Sequence, residues 1–159
     1  MRLRALSIWL LIGAATLAAP ACGTDAPGKD RLVPLVVLND RLAICRLDSG
    51  QPLPPWAQAG KGEFFSATRT PEELSVIVAG SRAPPDAKCE RDWRLLKVRG
   101  PLDFNLVGII AGLSGTLADA GVSIFALSTY DTDYLMVKEA DFDRAVAALR
   151  QAGYPISEP

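Results

Sequence analysis

The sequence predicts an α+β fold built from two ferredoxin-like (βαββαβ) units in tandem, the first of them degenerate. Three observations carry that prediction. From Trp93 to Ile156 the apolar pattern runs strand, helix, strand, strand, helix, strand, punctuated by glycine and proline. A weaker echo of the same order stands sixty residues upstream. The composition, 49% hydrophobic and 22% charged over 159 residues, is that of a globular chain with room for one or two small domains.

The second unit, residues 91–156, is the clearer one. "WRLLKV", 93–98, reads as a strand closed by the breaker pair Gly100 and Pro101. Asp103 is placed to cap a helix from Phe104 to Ala120, with Leu106, Ile109 or Ile110, Leu113 and Leu117 at helical spacing and Gly121 as the stop. Gly108, Gly112 and Gly115 share one face of that helix. Each costs about 1 kcal/mol against alanine, so close approach to another element is the expected compensation. The apolar stretch is shorter than the ~20 residues a membrane-spanning helix needs.

"VSIFAL", 122–127, is a strand apolar on both faces except at Ser123, a hydroxyl that needs a hydrogen-bond partner if buried. "YLMVK", 134–138, returns as the next strand. A second helix starts at Asp141, lines up Phe142, Val146 and Leu149 on one face, and ends at Gly153. Tyr154, Pro155 and Ile156 form a short edge strand, where proline is tolerated. This order is the split βαβ pattern, an antiparallel sheet with both helices on one face.

The first unit, residues 33–90, repeats part of this. A shift of sixty sets "LVVL", 35–38, against "LLKV", 95–98, and brings Thr68 to Ser128 and Glu73 to Asp133. Its first helix shrinks to a turn or so because Pro52, Pro54 and Pro55 interrupt it. About 60 residues alone make a marginal core, so the unit is expected to bury its sheet against the second one.

Residues 1–21 have the layout of a secretory signal: Arg2 and Arg4, an apolar run, then Ala19-Pro20-Ala21. Cys22 stands where bacterial lipoproteins carry their acylated cysteine, although Ala19 and Pro20 depart from the usual run, and it is the candidate lipidation residue. Residues 22–32 read as a linker. Two localisations follow: the cell envelope, with membrane contact only through this segment, or the cytoplasm, with translation beginning near Val33.

Histidine is absent, which removes imidazole bases, Ser/His and Cys/His nucleophile pairs, and histidine metal ligands. A net charge of −1 with scattered basic residues gives no footprint for nucleic acid. Cys22, Cys45 and Cys89 form no C-x-x-C, so no zinc or redox motif is expected. In an oxidising compartment Cys45 and Cys89 are candidates to pair; in a reducing one they are small core residues. No catalytic residue, metal or cofactor is expected. Asp131 and Asp133 are two residues apart in a tight turn, where carboxylates are usually solvated.

The segments "FFSATRTPEELSVIV" and "LDFNLVGIIAGLSGTLADAGVSIFALSTYDTDYLMVKEADFDRAVAAL", with the duplication, resemble the tandem ACT domains of aspartate-kinase-like regulatory proteins and one half of the CASTOR-type arginine sensors. The resemblance covers residues 33–156. It implies no intrinsic catalysis and an amino-acid effector held where two ACT units meet. By motif its contacts fall on Asp103, Phe104 and Asn105, and on Val122, Ser123 and Ile124, with Ser128, Thr129, Asp131 and Asp133 in the adjacent turn. The sensors carry four units and this chain two, so a homodimer is expected to complete the site. A ligand-free dimerisation or protein-interaction module is the alternative. The physics agrees with a ligand: a helix N-terminus offers free amides to a carboxylate, and an aspartate nearby holds an ammonium.

Overall fold

The computed structural model describes residues 32–158. Seven strands, β1 (Leu35–Leu47), β2 (Ser66–Arg69), β3 (Leu74–Ala79), β4 (Cys89–Val98), β5 (Ile124–Ser128), β6 (Asp133–Lys138) and β7 (Ile156–Ser157), share one sheet; the helices are α1 (Ile109–Asp119) and α2 (Phe142–Gln151). The strand order is β2-β3-β1-β4-β6-β5, with β7 beside β1. The signal-like segment, Cys22 and most of the linker lie outside the described residues.

The duplication is written in the hairpin registers. Arg69 faces Leu74 across β2 and β3, and Ser128 faces Asp133 across β5 and β6, so the hairpins superpose at an offset of 59 residues, one fewer than the sequence shift suggested. One residue matters because strand side chains alternate faces. At 59 the buried run Val76–Val78 falls on the buried run Leu135–Val137. β1 and β4 correspond at 51: Arg46 pairs with Ser75 and Lys97 with Tyr134, which sets Ile44–Leu47, not Leu35–Leu38, against Leu95–Val98. The missing eight residues come from the connection that carries α1 in the second unit. In the first unit it holds a single 3-10 turn at Pro55–Ala57, flanked by Pro54.

The units join edge to edge. β1 and β4 pair antiparallel from Leu35 opposite Val98 to Cys45 opposite Cys89, so one continuous sheet replaces the expected packing of sheet on sheet. The start of β1 takes the place beside β4, and β7 therefore pairs in parallel with Leu35 and Val36. Cys45 and Cys89 are joined by a disulfide that closes a loop with a sequence separation of 44.

Alternation along the strands divides the core. One face buries Leu35, Val37, Leu96, Val98, Leu135 and Val137 under Leu113 and Leu117 of α1 and Phe142, Ala145, Val146 and Leu149 of α2. Further along that face, Ala43, Cys45, Val76 and Val78 pack with Ala57 beneath the proline-rich connection. The helix-free face buries Leu42, Ile77, Trp93, Leu95 and Met136. It does so by curling: Phe64, just before edge strand β2, brings its ring centroid within 5.0 Å of that of Tyr134 on β6.

α2 follows its sequence pattern, from Phe142 to a left-handed Gly153 at φ +95°. α1 does not. It begins at Ile109, five residues later than expected, because Gly108 takes φ +86° and breaks any helical run from Phe104. The close approach expected for its glycines is also absent at Gly115, where an added Cβ would meet nothing within 4 Å.

Candidate functional site

Two loops leave the same end of the second unit: residues 99–108, between β4 and α1, and the turn between β5 and β6. Gly100 lets them touch, since a Cβ there would lie 2.6 Å from the Asp131 carbonyl oxygen and 3.0 Å from Thr132 Cβ. The Leu102 amide donates to that Asp131 carbonyl at 2.8 Å. Thr132, 3% exposed, donates its hydroxyl to the Val98 carbonyl at 2.6 Å. Within the turn, the Thr129 amide and hydroxyl both donate to the Thr132 carbonyl, at 2.8 and 3.0 Å. The Ser128 hydroxyl donates to Asp133 Oδ1 at 2.6 Å. The hydroxyls of this polar stretch therefore close the turn and fasten it to β4.

Between the loops lies an open pocket of about 340 Å³. One wall is Leu102, Asp103, Phe104 and Leu106; the opposite wall is the turn from Ser128 to Asp133; Gly108, Ile109, Ile110 and Ala111 close the end. The first amides of a helix have no partner within it, and no side chain caps α1, so its positive dipole end opens onto this space. Asp103, Asp131 and Asp133 line the pocket, and no lysine or arginine does. Phe104 and Tyr130, 75% and 81% exposed, meet edge to face at its mouth with centroids 5.2 Å apart.

Six of the sequence-derived residues line this pocket: Asp103, Phe104, Ser128, Thr129, Asp131 and Asp133. Asn105, Val122, Ser123 and Ile124 are not among its lining residues. Asp103 does not cap α1. Its Oδ1 accepts from the Asn105 amide and side chain, at 2.8 and 2.9 Å, in a turn of its own, which holds Asn105 against Asp103. Ser123 is exposed and precedes β5, so the buried strand hydroxyl expected there does not exist. Sequence reasoning left Tyr130 and Thr132 of the polar turn out of the site residues, and it missed the helix start at Gly108 to Ala111. Gly108 ahead of two isoleucines was the available signal for the last of these.

An ACT domain model matches residues 88–151, and a model of an N-terminal domain matches residues 40–86. Residues 88–151, which hold the second unit up to the end of α2, are an ACT domain. Among ACT relatives, the human cytosolic arginine sensor for mTORC1 subunit 1 is 33% identical over 100 residues, 56% of this chain and 30% of that protein. The chain thus spans about a third of the length of this curated relative. Protein Atu0741 from Agrobacterium tumefaciens is 33% identical, with a TM-score of 0.74 over 80% of this chain and 93% of that one. The regulatory subunit of aspartate kinase from Thermus thermophilus shares the fold at 13% identity, with a TM-score of 0.54 over 77% of this chain and 99% of that one. The ACT model covers all the elements that build the pocket.

Proposed function

We propose that this ACT protein is a non-catalytic sensor that binds a cationic amino acid, arginine first among them, in the pocket between the 99–108 loop and the β5–β6 turn. One observation carries the reading: an uncapped helix N-terminus and three carboxylates face one small concavity with no competing base. The effector's carboxylate sits at the α1 amides and its cationic groups at Asp131 and Asp133. The volume is at the small end of the roughly 300–1,000 Å³ usual for ligand sites. The name of the human relative, an arginine sensor, supports the choice of side chain. Phe104, Leu106, Val107 and Tyr130 are all exposed around the pocket, and a homodimer that covers them would place the effector between two ACT units.

Thermal unfolding with each of the twenty amino acids tests this. At a hundredfold excess over Kd the bound ligand adds about 2.7 kcal/mol. Arginine should shift the melting temperature and citrulline, its neutral analogue, should not. The same apolar rim favours a second reading, a ligand-free interaction module. In that case the chain self-associates or captures a partner while none of the twenty changes its stability.

A further inference from the structure

The two loops that wall the pocket have counterparts in the first unit, and there the exposed side chain of Arg69 joins them. At the offset of 59, Thr70 corresponds to Thr129 and Glu73 to Thr132, and the turn between β2 and β3 repeats the contacts of its partner. The Thr70 amide donates to the Glu73 carbonyl at 2.8 Å, as Thr129 does to Thr132. The Thr70 hydroxyl accepts from the Glu72 and Glu73 amides at 3.2 Å, as that of Thr129 accepts from Thr132 at 3.4 Å. At the offset of 51, Ser49 and Gln51 correspond to Gly100 and Leu102 in the loop that walls the pocket.

What differs is the residue at the strand end. Ser128 lines the open pocket; its counterpart is Arg69. The Arg69 guanidinium reaches across from turn to loop, donating through Nη1 to the Ser49 carbonyl and through Nη2 to the Gln51 carbonyl at 2.9 Å. Arg46 braces the same turn by an ion pair to Glu73 at 3.0 Å and a bond to the Glu72 carbonyl at 2.9 Å. A planar fork satisfied by two main-chain oxygens is a specific arrangement that a lysine cannot reproduce.

We propose that the Arg69 guanidinium, by bridging the two loops, occupies the place in the first unit that the effector takes in the second, so that each chain holds one effector site and the first unit presents a self-liganded copy of it. The counting of sites rests on the functional reading above; the bridging of the loops by Arg69 does not. Loss of a guanidinium from a shaped site is commonly testable by returning it as a free ion. Arg69→Ser installs the residue found at the equivalent position, and Arg69→Lys keeps the charge without the fork.

The full chain is titrated with L-arginine by calorimetry, and its variants are melted in millimolar guanidinium chloride against equal sodium chloride. Wild type should take one arginine per chain and be indifferent to guanidinium. Arg69→Ser should melt lower and recover with guanidinium, and Arg69→Lys should melt lower as well. Should Arg69→Ser not fold, Ser128→Arg decides: a self-inserted arginine should abolish the arginine response while the melting temperature holds or rises. Two arginines per wild-type chain would overturn the proposal. So would an Arg69→Ser that melts like wild type without a guanidinium response, or a Ser128→Arg whose affinity stays within tenfold of wild type. Failure of wild type to bind arginine removes the functional reading instead, and the guanidinium response of Arg69→Ser still decides the bridge.

Discussion

Thr132 is the side chain on which the pocket's shape depends most directly. Its hydroxyl is buried and donates at 2.6 Å to the Val98 carbonyl, tying the β5–β6 turn to the end of β4. Thr132→Val keeps the shape and removes the donor, leaving a buried carbonyl with one partner fewer. Such a loss costs about 1–3 kcal/mol. At roughly 4 °C per kcal/mol for a chain of this size, the melting temperature should fall by about 4–12 °C. The turn is then free to move away from the 99–108 loop, so arginine affinity should fall beyond what stability alone explains. Urea unfolding gives the first quantity and calorimetry the second. Thr132→Ser, which keeps the hydroxyl, should restore affinity while losing only methyl packing. If Thr132→Val matches wild type in both measurements, the hydroxyl does not hold the pocket together.

Other outcomes follow from the same coordinates. Gly100→Ala places a methyl against the Asp131 carbonyl and should weaken effector binding at least as much as Thr132→Val, read by the same titration. Asp133→Asn removes one carboxylate from the cationic end of the pocket, and about 1.5–3 kcal/mol, or roughly 10- to 100-fold in Kd, should be lost. Reducing the Cys45–Cys89 disulfide frees a loop of sequence separation 44, a chain-entropy cost of about 4 kcal/mol that denaturant titration with and without reductant would show. Free thiols in the native protein would instead favour the cytoplasmic start near Val33. Burial pushes the Tyr154 hydroxyl above the ordinary tyrosine pKa of about 10. The unfolded chain therefore loses that proton first, so stability holds below about pH 10 and falls as pH rises toward the raised value. Tyr154→Phe should flatten that alkaline decline.

Legibility in the sequence followed how local the cause was. α2 could be read because Phe142, Val146 and Leu149 repeat at helical spacing between Asp141 and Gly153, and the structure buries all three. The β5 and β6 strands were placed to within two residues on two short apolar runs and the polar turn between them. The start of α1 was misplaced because Asp103 has the chemistry of a helix cap and of an Asx turn equally, and only Gly108 at positive φ decides between them. The union of both units in one sheet depends on β1 pairing with β4 across some fifty residues, which no local pattern encodes. Ser123 was misjudged for a related reason: an apolar neighbourhood in sequence was read as a buried one in space. Asp131 and Asp133 could be named early, whereas the role of Thr132 needed its distant acceptor, Val98.

Calorimetric titration of the full chain with L-arginine and then L-citrulline puts effector binding at the second unit to its most direct test. Saturable binding of arginine at one site per chain, greatly weakened for citrulline and for Asp133→Asn, is the expected result. No binding of arginine, and no thermal shift with any other amino acid, would contradict it.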